Sequence, residues 1–125
     1  NYNGTAAIQG IVIKDHLFDR YRANEDFIQK YIFPGGFLPS VSFMEKLIKK
    51  NDLKLEKINS YPDDYARTLA AWRENFLSAW DKIRPLGFDD YFKRMWEFYL
   101  SYCEGGFKSR NINLIQFSMS NKYSS

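Results

Sequence analysis

The sequence is poor in the residues that build crosslinks and metal centres. Its 125 residues include one cysteine, Cys103, and one histidine, His16. A lone cysteine excludes an internal disulfide framework and suits a reducing compartment. One histidine and one cysteine fall short of the ligand set of either a structural or a catalytic zinc, so no metal is expected. No apolar run approaches the ~20 residues of a membrane-spanning helix, and the start carries no signal-peptide pattern. Charge of one sign is scarce as well: 18 Lys and Arg stand against 15 Asp and Glu, a net charge of +3, and the two signs are interleaved. A nucleic-acid binder usually shows a one-sided basic stripe, so nucleic acid is not an expected partner. The first residue is Asn1 rather than Met, which points to processing or to an excised fragment.

Aromatic and aliphatic side chains, by contrast, are plentiful. A hydrophobic content of 45% with 18% aromatics lets the chain bury a real core, as one domain or a large piece of one. Ala6 to Ile13 is short, apolar and β-branched toward its end, and reads as a mostly buried strand. Lys14 to Arg22 reads as a polar connection holding His16. Asn24 is placed to cap a helix with Glu25 and Asp26 in its first turn and Phe27, Ile28, Tyr31 and Ile32 on its buried side, stopped by Pro34-Gly35-Gly36. Ser42 to Glu45 fits a capping box, with a start nearer Ser40 as the other choice. Met44, Leu47 and Ile48 then form a stripe that Asn51-Asp52 ends. Leu53, Leu55 and, less regularly, Ile58 indicate a second strand.

Asp63 or Asp64 is expected to cap a long helix in which Tyr65, Leu69, Trp72, Phe76, Trp80 and Ile83 share one face. A last helix from about Asp89 turns Phe92, Met95, Trp96, Tyr99 and Cys103 inward, with Gly105-Gly106 weakening its end or marking a close contact. Ile112 to Met119 closes the chain as a strand. The pattern is α/β: about three strands with long inserted helices. Such strands want more sheet around them, so half of a sheet is expected elsewhere. No glycine-rich strand-to-helix turn of the nucleotide-cradling kind is present, because Gly35-Gly36 follows Pro34 and leads into a loop.

Tyr31-Ile-Phe-Pro-Gly-Gly-Phe-Leu-Pro-Ser40, Tyr65-Ala-Arg-Thr-Leu-Ala-Ala-Trp72 and Phe92-Lys-Arg-Met-Trp96 with Tyr99 and Cys103 occur in this order. Together they resemble the C-terminal part of the cyclopropane-fatty-acyl-phospholipid synthase and mycolic acid cyclopropane synthase family. The resemblance runs from about Ala6 to Met119. It implies that residues 1–125 are the C-terminal segment of a Rossmann-like methyltransferase domain that uses S-adenosylmethionine, with the cofactor-binding half absent and the cofactor site mostly outside this chain. It further implies a cytoplasmic bacterial enzyme that transfers a methyl or methylene group to the double bond of an unsaturated acyl chain in a lipid or phospholipid, with bicarbonate as the proton acceptor in ring closure.

By the same resemblance, Tyr65 matches the tyrosine whose hydroxyl helps to hold bicarbonate, and Ile11 matches a position whose backbone touches that ion. Gln9 stands where the family has a bicarbonate-binding histidine. A glutamine amide can donate to an anion but cannot relay a proton near neutral pH, so branches that methylate acyl chains without closing a ring come into view. The residues alone also allow plainer roles: Tyr65 as a core tyrosine and Gln9 as the partner of a buried backbone group. Phe33, Phe37 and Leu38 would line the approach of the acyl chain, or else plug a packing gap. Trp72, Phe76, Trp80, Trp96 and Tyr99 read as core between the two long helices. Lys46, Lys49, Lys50, Lys54 and Lys57 form either a solvated face or a contact for anionic headgroups at the inner membrane face. A non-catalytic lipid-binding or interaction module derived from the same family is the alternative function, and a basic nucleic-acid-binding domain is the weakest third.

Overall fold

A computed structural model describes residues 3–123. Three strands, β1 (Thr5–Ile13), β2 (Leu53–Ser60) and β3 (Ile112–Asn121), form an antiparallel sheet in the order β1-β3-β2. β1 is thus an edge strand. Thr5 to Gln9 are exposed and burial reaches only Val12 and Ile13, which corrects the expectation of a mostly buried strand.

Alternation along the strands gives the sheet two apolar faces. Val12, Ile115 and Phe117 point to one side, where α2 (Val41–Lys50) covers them with Ile48, Met44 and Val41. Leu114, with Ile11 and Ile112, points to the other, where α3 (Pro62–Ser78) and α5 (Asp90–Lys108) supply Ala66, Leu69, Leu100, Cys103 and Phe107. In β2 the register shifts between Leu55 and Lys57, so that Leu55 stays opposite Met119 and Ile58 opposite Phe117. Glu56 is the extra residue of this bulge. It explains why the apolar spacing of β2 is irregular although Leu55 and Ile58 share a face.

Several helix boundaries differ from expectation. Lys14 to Arg22 is not a polar connection: Asp15–Ala23 is a helix, α1, which buries Phe18 and carries His16 on an exposed position. Asn24 ends that helix, its side-chain amide donating to the Arg20 carbonyl at 2.7 Å, instead of starting the next. The segment after it forms only a five-residue π-helical turn, Ile28–Ile32, entered through a reciprocal pair of hydrogen bonds between Asp26 and Gln29. Ser40, not Ser42, caps α2, its hydroxyl accepting from the Phe43 N–H at 3.1 Å. Neither Asp63 nor Asp64 caps α3. Tyr61 occupies that position and Pro62 takes the first helical one, where a missing N–H has no intrahelical partner to lose. The two aspartates lie in the first turn, favourable at the positive end of the helix dipole.

The apolar stripe from Tyr65 to Ile83 is also not one helix. Chain direction changes at Ala79, and a short α4 (Trp80–Ile83) and a 3₁₀ turn (Arg84–Leu86) follow before Gly87, at φ 102°, turns the chain toward α5. Trp80 is buried, Phe76, Trp96 and Tyr99 pack partly buried against the core, and Trp72 is 49% exposed, so it is not a core residue. α5 begins just after Asp89, close to the expected start, and Asp89 caps it by accepting the Phe92 N–H on its carboxylate at 2.8 Å. Gly105 and Gly106 lie inside α5 and do not end it. Gly106 marks a close contact instead, since a Cβ there would lie 2.9 Å from Ile112 Cδ1.

Candidate active site

Tyr65 is the fourth residue of α3, which brings its side chain over the sheet beside α5. Its ring stands edge-on to Phe107, 4.8 Å between centroids, and to Trp72 at 5.9 Å. These contacts fix the ring and leave the hydroxyl as its variable end. Burial, and then the nearby Cys103, raises the Tyr65 phenol above its ordinary pKa, so it stays a neutral donor through the physiological range. Burial also pushes Tyr99 up to about 12 and Cys103 up to about 11. The three groups thus present neutral polar atoms within an aromatic surround that includes Trp96.

The start of α3 is fastened from below and from the side. Tyr61 donates its N–H to the Leu114 carbonyl at 2.8 Å, tying the cap to β3. Arg110, just beyond α5 and at φ 65°, grips Asp63 with both terminal nitrogens at 2.8 Å. That hydrogen bonding holds the Asp63 carboxyl below the usual carboxylate range. Farther along the two helices, buried Glu104 receives Arg73 at 3.1 Å and also pairs with Lys108.

Ile11 packs against the same core cluster as Tyr65. The backbone of Ile11 is also placed to act. Ile13 donates its N–H away from β3, to the Pro39 carbonyl at 3.0 Å, whereas Lys14 donates inward to Asn111. Successive N–H groups of a strand alternate between its two edges, so those of Ile11 and Gln9 face the outer edge with that of Ile13.

Gln9 lies on the face of Ile11, one step farther from Tyr65, and is exposed. It does not satisfy a buried backbone group. Its Oε1 accepts from Gln116 Nε2 at 2.9 Å, directly across the β1–β3 pair. Asn59 stands opposite Gln116 on the other side, and these carboxamides, with Lys57 and Ser118, line a shallow cavity of about 340 Å³. Sequence reasoning missed Gln116 and Asn59. The available signal was the single polar residue between Ile115 and Phe117, which must face away from them and therefore toward the side of Leu114.

The three acyl-pocket candidates have different neighbours, although Phe37 and Leu38 both meet Tyr21. Phe33 leans edge-on against Tyr99 of α5 at 6.2 Å. Phe37 packs on α1, with Phe18 at 5.6 Å and Tyr21 at 5.7 Å, and the Leu38 N–H donates to the Tyr21 hydroxyl. Leu38 also borders a cavity of about 810 Å³ with Leu17, Ile28, Tyr102 and Ile112. Among the described residues there is no cluster of three or more His, Cys, Asp or Glu side chains that could hold a metal ion, and no helix long and apolar enough to cross a membrane.

The sheet and its inserted helices define an α/β methyltransferase fold. The structure of cyclopropane synthase MmaA2 from Mycobacterium tuberculosis matches 95% of this chain and 45% of its own, with a TM-score of 0.84 and 22% identity. The mycolic acid cyclopropane synthase CmaA1 complexed with SAH and CTAB matches over the same shares with a TM-score of 0.83 and 22% identity. In sequence, the chain belongs to the family of mycolic acid cyclopropane synthetases, whose model matches residues 1–117. It is 40% identical over 117 residues to tuberculostearic acid methyltransferase UfaA1 of Mycobacterium tuberculosis (strain ATCC 25618 / H37Rv), covering 93% of this chain and 27% of that protein. It is 40% identical over 92 residues to the cyclopropane-fatty-acyl-phospholipid synthase of Escherichia coli (strain K12), covering 74% of this chain and 24% of that protein. The chain therefore spans about a quarter of the length of these curated relatives.

Proposed function

We propose that this chain is the C-terminal part of an S-adenosylmethionine-dependent methyltransferase that transfers a methyl or methylene group to the double bond of an unsaturated acyl chain in a lipid or phospholipid. The observation that carries the reading is the family match over residues 1–117, with Tyr65 at the start of α3 and Gln9 and Ile11 on β1 at the positions expected to hold an anion. The 40% identity over 93% of this chain to a relative named tuberculostearic acid methyltransferase supports it. The relatives are enzymes, and the reading as a non-catalytic lipid-binding module has no observation in its favour.

The glycine pairs of this chain sit in the Pro34–Phe37 loop and within α5, so no residue here is assigned to hold S-adenosylmethionine. When bound, that cofactor supplies an electrophilic methyl group. The donor set on this chain fits a small anion such as bicarbonate: the neutral phenol of Tyr65, the amide of Gln9 and the edge-facing N–H of Ile11 all donate and carry no negative charge. Tyr65 holds its proton because burial disfavours the phenolate. Gln9 can orient an anion but cannot take up or pass on a proton near neutral pH, so the proton lost by the methylated cation, whether a ring closes or a methylene forms, would go to the bound anion. The faces of Trp72, Phe107, Trp96 and Tyr99 give a developing carbocation a π-rich surround. Phe33 beside Tyr99 is the acyl-wall candidate nearest to this group. Peripheral contact with an anionic inner membrane surface would use the exposed Lys46, Lys49 and Lys50 of α2.

Expression of the full-length gene in a host that makes unsaturated phospholipids, followed by mass spectrometry of the fatty acids, tests the reading. Fatty acids heavier than the unsaturated precursor by one CH2 are expected, the gain shared by a ring and a methylene branch. A lipid profile identical to that of the empty host removes the methyltransferase assignment.

A further inference from the structure

We infer that Gln116 is a positioning residue that sets which end of the Gln9 amide faces the anion; this rests on the donor role proposed for Gln9. A primary amide offers one acceptor and two donors, and a strand gives it two roughly opposite ways to present them. In this structure Gln116 Nε2 donates to Gln9 Oε1 at 2.9 Å, so the acceptor of Gln9 is occupied and both of its N–H donors are left for a ligand.

The backbone holds the two amides side by side. Gln116 is itself exposed, but it sits on the central strand and is paired on both sides. Gln9 sits on the edge strand and is paired on one side only, so of the two backbones that of Gln116 is the more firmly held. The outward N–H groups of Gln9, Ile11 and Ile13 make Gln9–Gln116 a non-hydrogen-bonded pair, the kind in which opposed side chains lie closest. Asn59 and Lys57, from β2, flank the far side of Gln116 in the same shallow cavity and reinforce its polar character.

The test uses the full-length enzyme, with bicarbonate as the probe. Binding is measured by isothermal titration calorimetry for Gln116→Leu and Gln116→Glu, each alone and combined with Gln9→Ala. Melting temperatures of all variants serve as the folding control. Gln116→Leu frees the Gln9 amide and should weaken bicarbonate about fivefold, the loss of one ordinary hydrogen bond's worth of orientation. Gln116→Glu should weaken it further, because a carboxylate only accepts and turns the Gln9 amide round to present Oε1 to the anion. With Gln9→Ala in place, Gln116→Leu should change nothing, and Gln116→Glu should keep only its charge repulsion. Gln9→Glu, which retains the acceptor for Gln116 but removes both donors, should bind bicarbonate worst while melting near the wild-type temperature.

Equal effects of Gln116→Leu with and without Gln9→Ala overturn the inference, as does wild-type affinity in Gln116→Leu. Wild-type protein that methylates lipid but binds no bicarbonate overturns it too. Wild-type protein that shows the predicted coupling in bicarbonate binding yet methylates no unsaturated lipid instead refutes the proposed reaction and leaves the coupling standing.

Discussion

Replacing Tyr65 by phenylalanine removes one oxygen and little else. The ring keeps its edge-on contacts with Phe107 and Trp72, and the lost hydroxyl is one whose ionisation burial already disfavours. Stability should therefore stay within about 0.5 kcal/mol of wild type, the usual range for a change that opens no cavity. A hydrogen bond to a charged group contributes about 1.5–3 kcal/mol, which predicts a roughly 10- to 150-fold loss in kcat/KM if the hydroxyl supports an anion in the transition state. The full-length enzyme, labelled S-adenosylmethionine and vesicles of unsaturated phospholipid give the rate, and calorimetry gives the melting temperature. Because the phenol is raised above its ordinary value of 10.0, the wild-type rate should show no inflection from this group below pH 10. A Tyr65→Phe rate within twofold of wild type refutes the reasoning. So does a melting temperature that falls in proportion to the rate, since the hydroxyl would then be structural.

Other expectations concern the frame around Tyr65. Arg73→Met leaves buried Glu104 with Lys108 alone and should destabilise by about 2 kcal/mol, discounted for the partial exposure of Arg73, while the pair Arg73→Met with Glu104→Leu should recover most of that in urea titrations. Gly105→Ala meets nothing within 4 Å and should stabilise α5 by about 1 kcal/mol, whereas Gly106→Ala, pressed on Ile112, should stabilise less or destabilise; melting curves of the two distinguish them. The Cys103 thiol, pushed up to about 11 by burial, should react with a disulfide reagent far more slowly in native than in unfolded protein at pH 8. The unfolded thiol loses its proton near its ordinary value of 9.0 while the native one keeps it to about 11, so Cys103 should leave stability unchanged below pH 9 and remove some as pH rises from 9 to 11; Cys103→Ala should flatten that part of the profile.

Periodicity was most informative where helices bury a broad stripe. The inward face of α5, its start near Asp89 and the existence of all three strands could be read directly, because long amphipathic segments repeat their signal over several turns. α1 was not readable, since a nine-residue helix that buries only Phe18 hardly differs in pattern from a polar loop. Trp72 and Trp80 were merged into one stripe because no glycine or proline announces the change of direction at Ala79. The setting of Gln9 depends on a partner at position 116, and an antiparallel register over that separation leaves no local trace. The ordered motifs singled out Tyr65 and Ile11, which periodicity alone leaves among the other apolar positions, and both pack against the core around Leu69 and Phe107.

The bulge at Glu56 is the point where β2 can absorb a change of chain length. Substituting Glu56 removes its hydrogen bond with the Ser120 hydroxyl and its ion pair with Lys54, both near the surface. Deleting it would take out the extra residue and leave a regular ladder, with Leu55 still opposite Met119, Lys57 opposite Ser118 and Ile58 opposite Phe117. Tyr61, immediately beyond this strand, would still donate to the Leu114 carbonyl and cap α3. Related sequences should therefore tolerate the loss of one residue at this bulge, whereas a further residue inserted between Leu53 and Tyr61 would exchange the two sides of part of the strand.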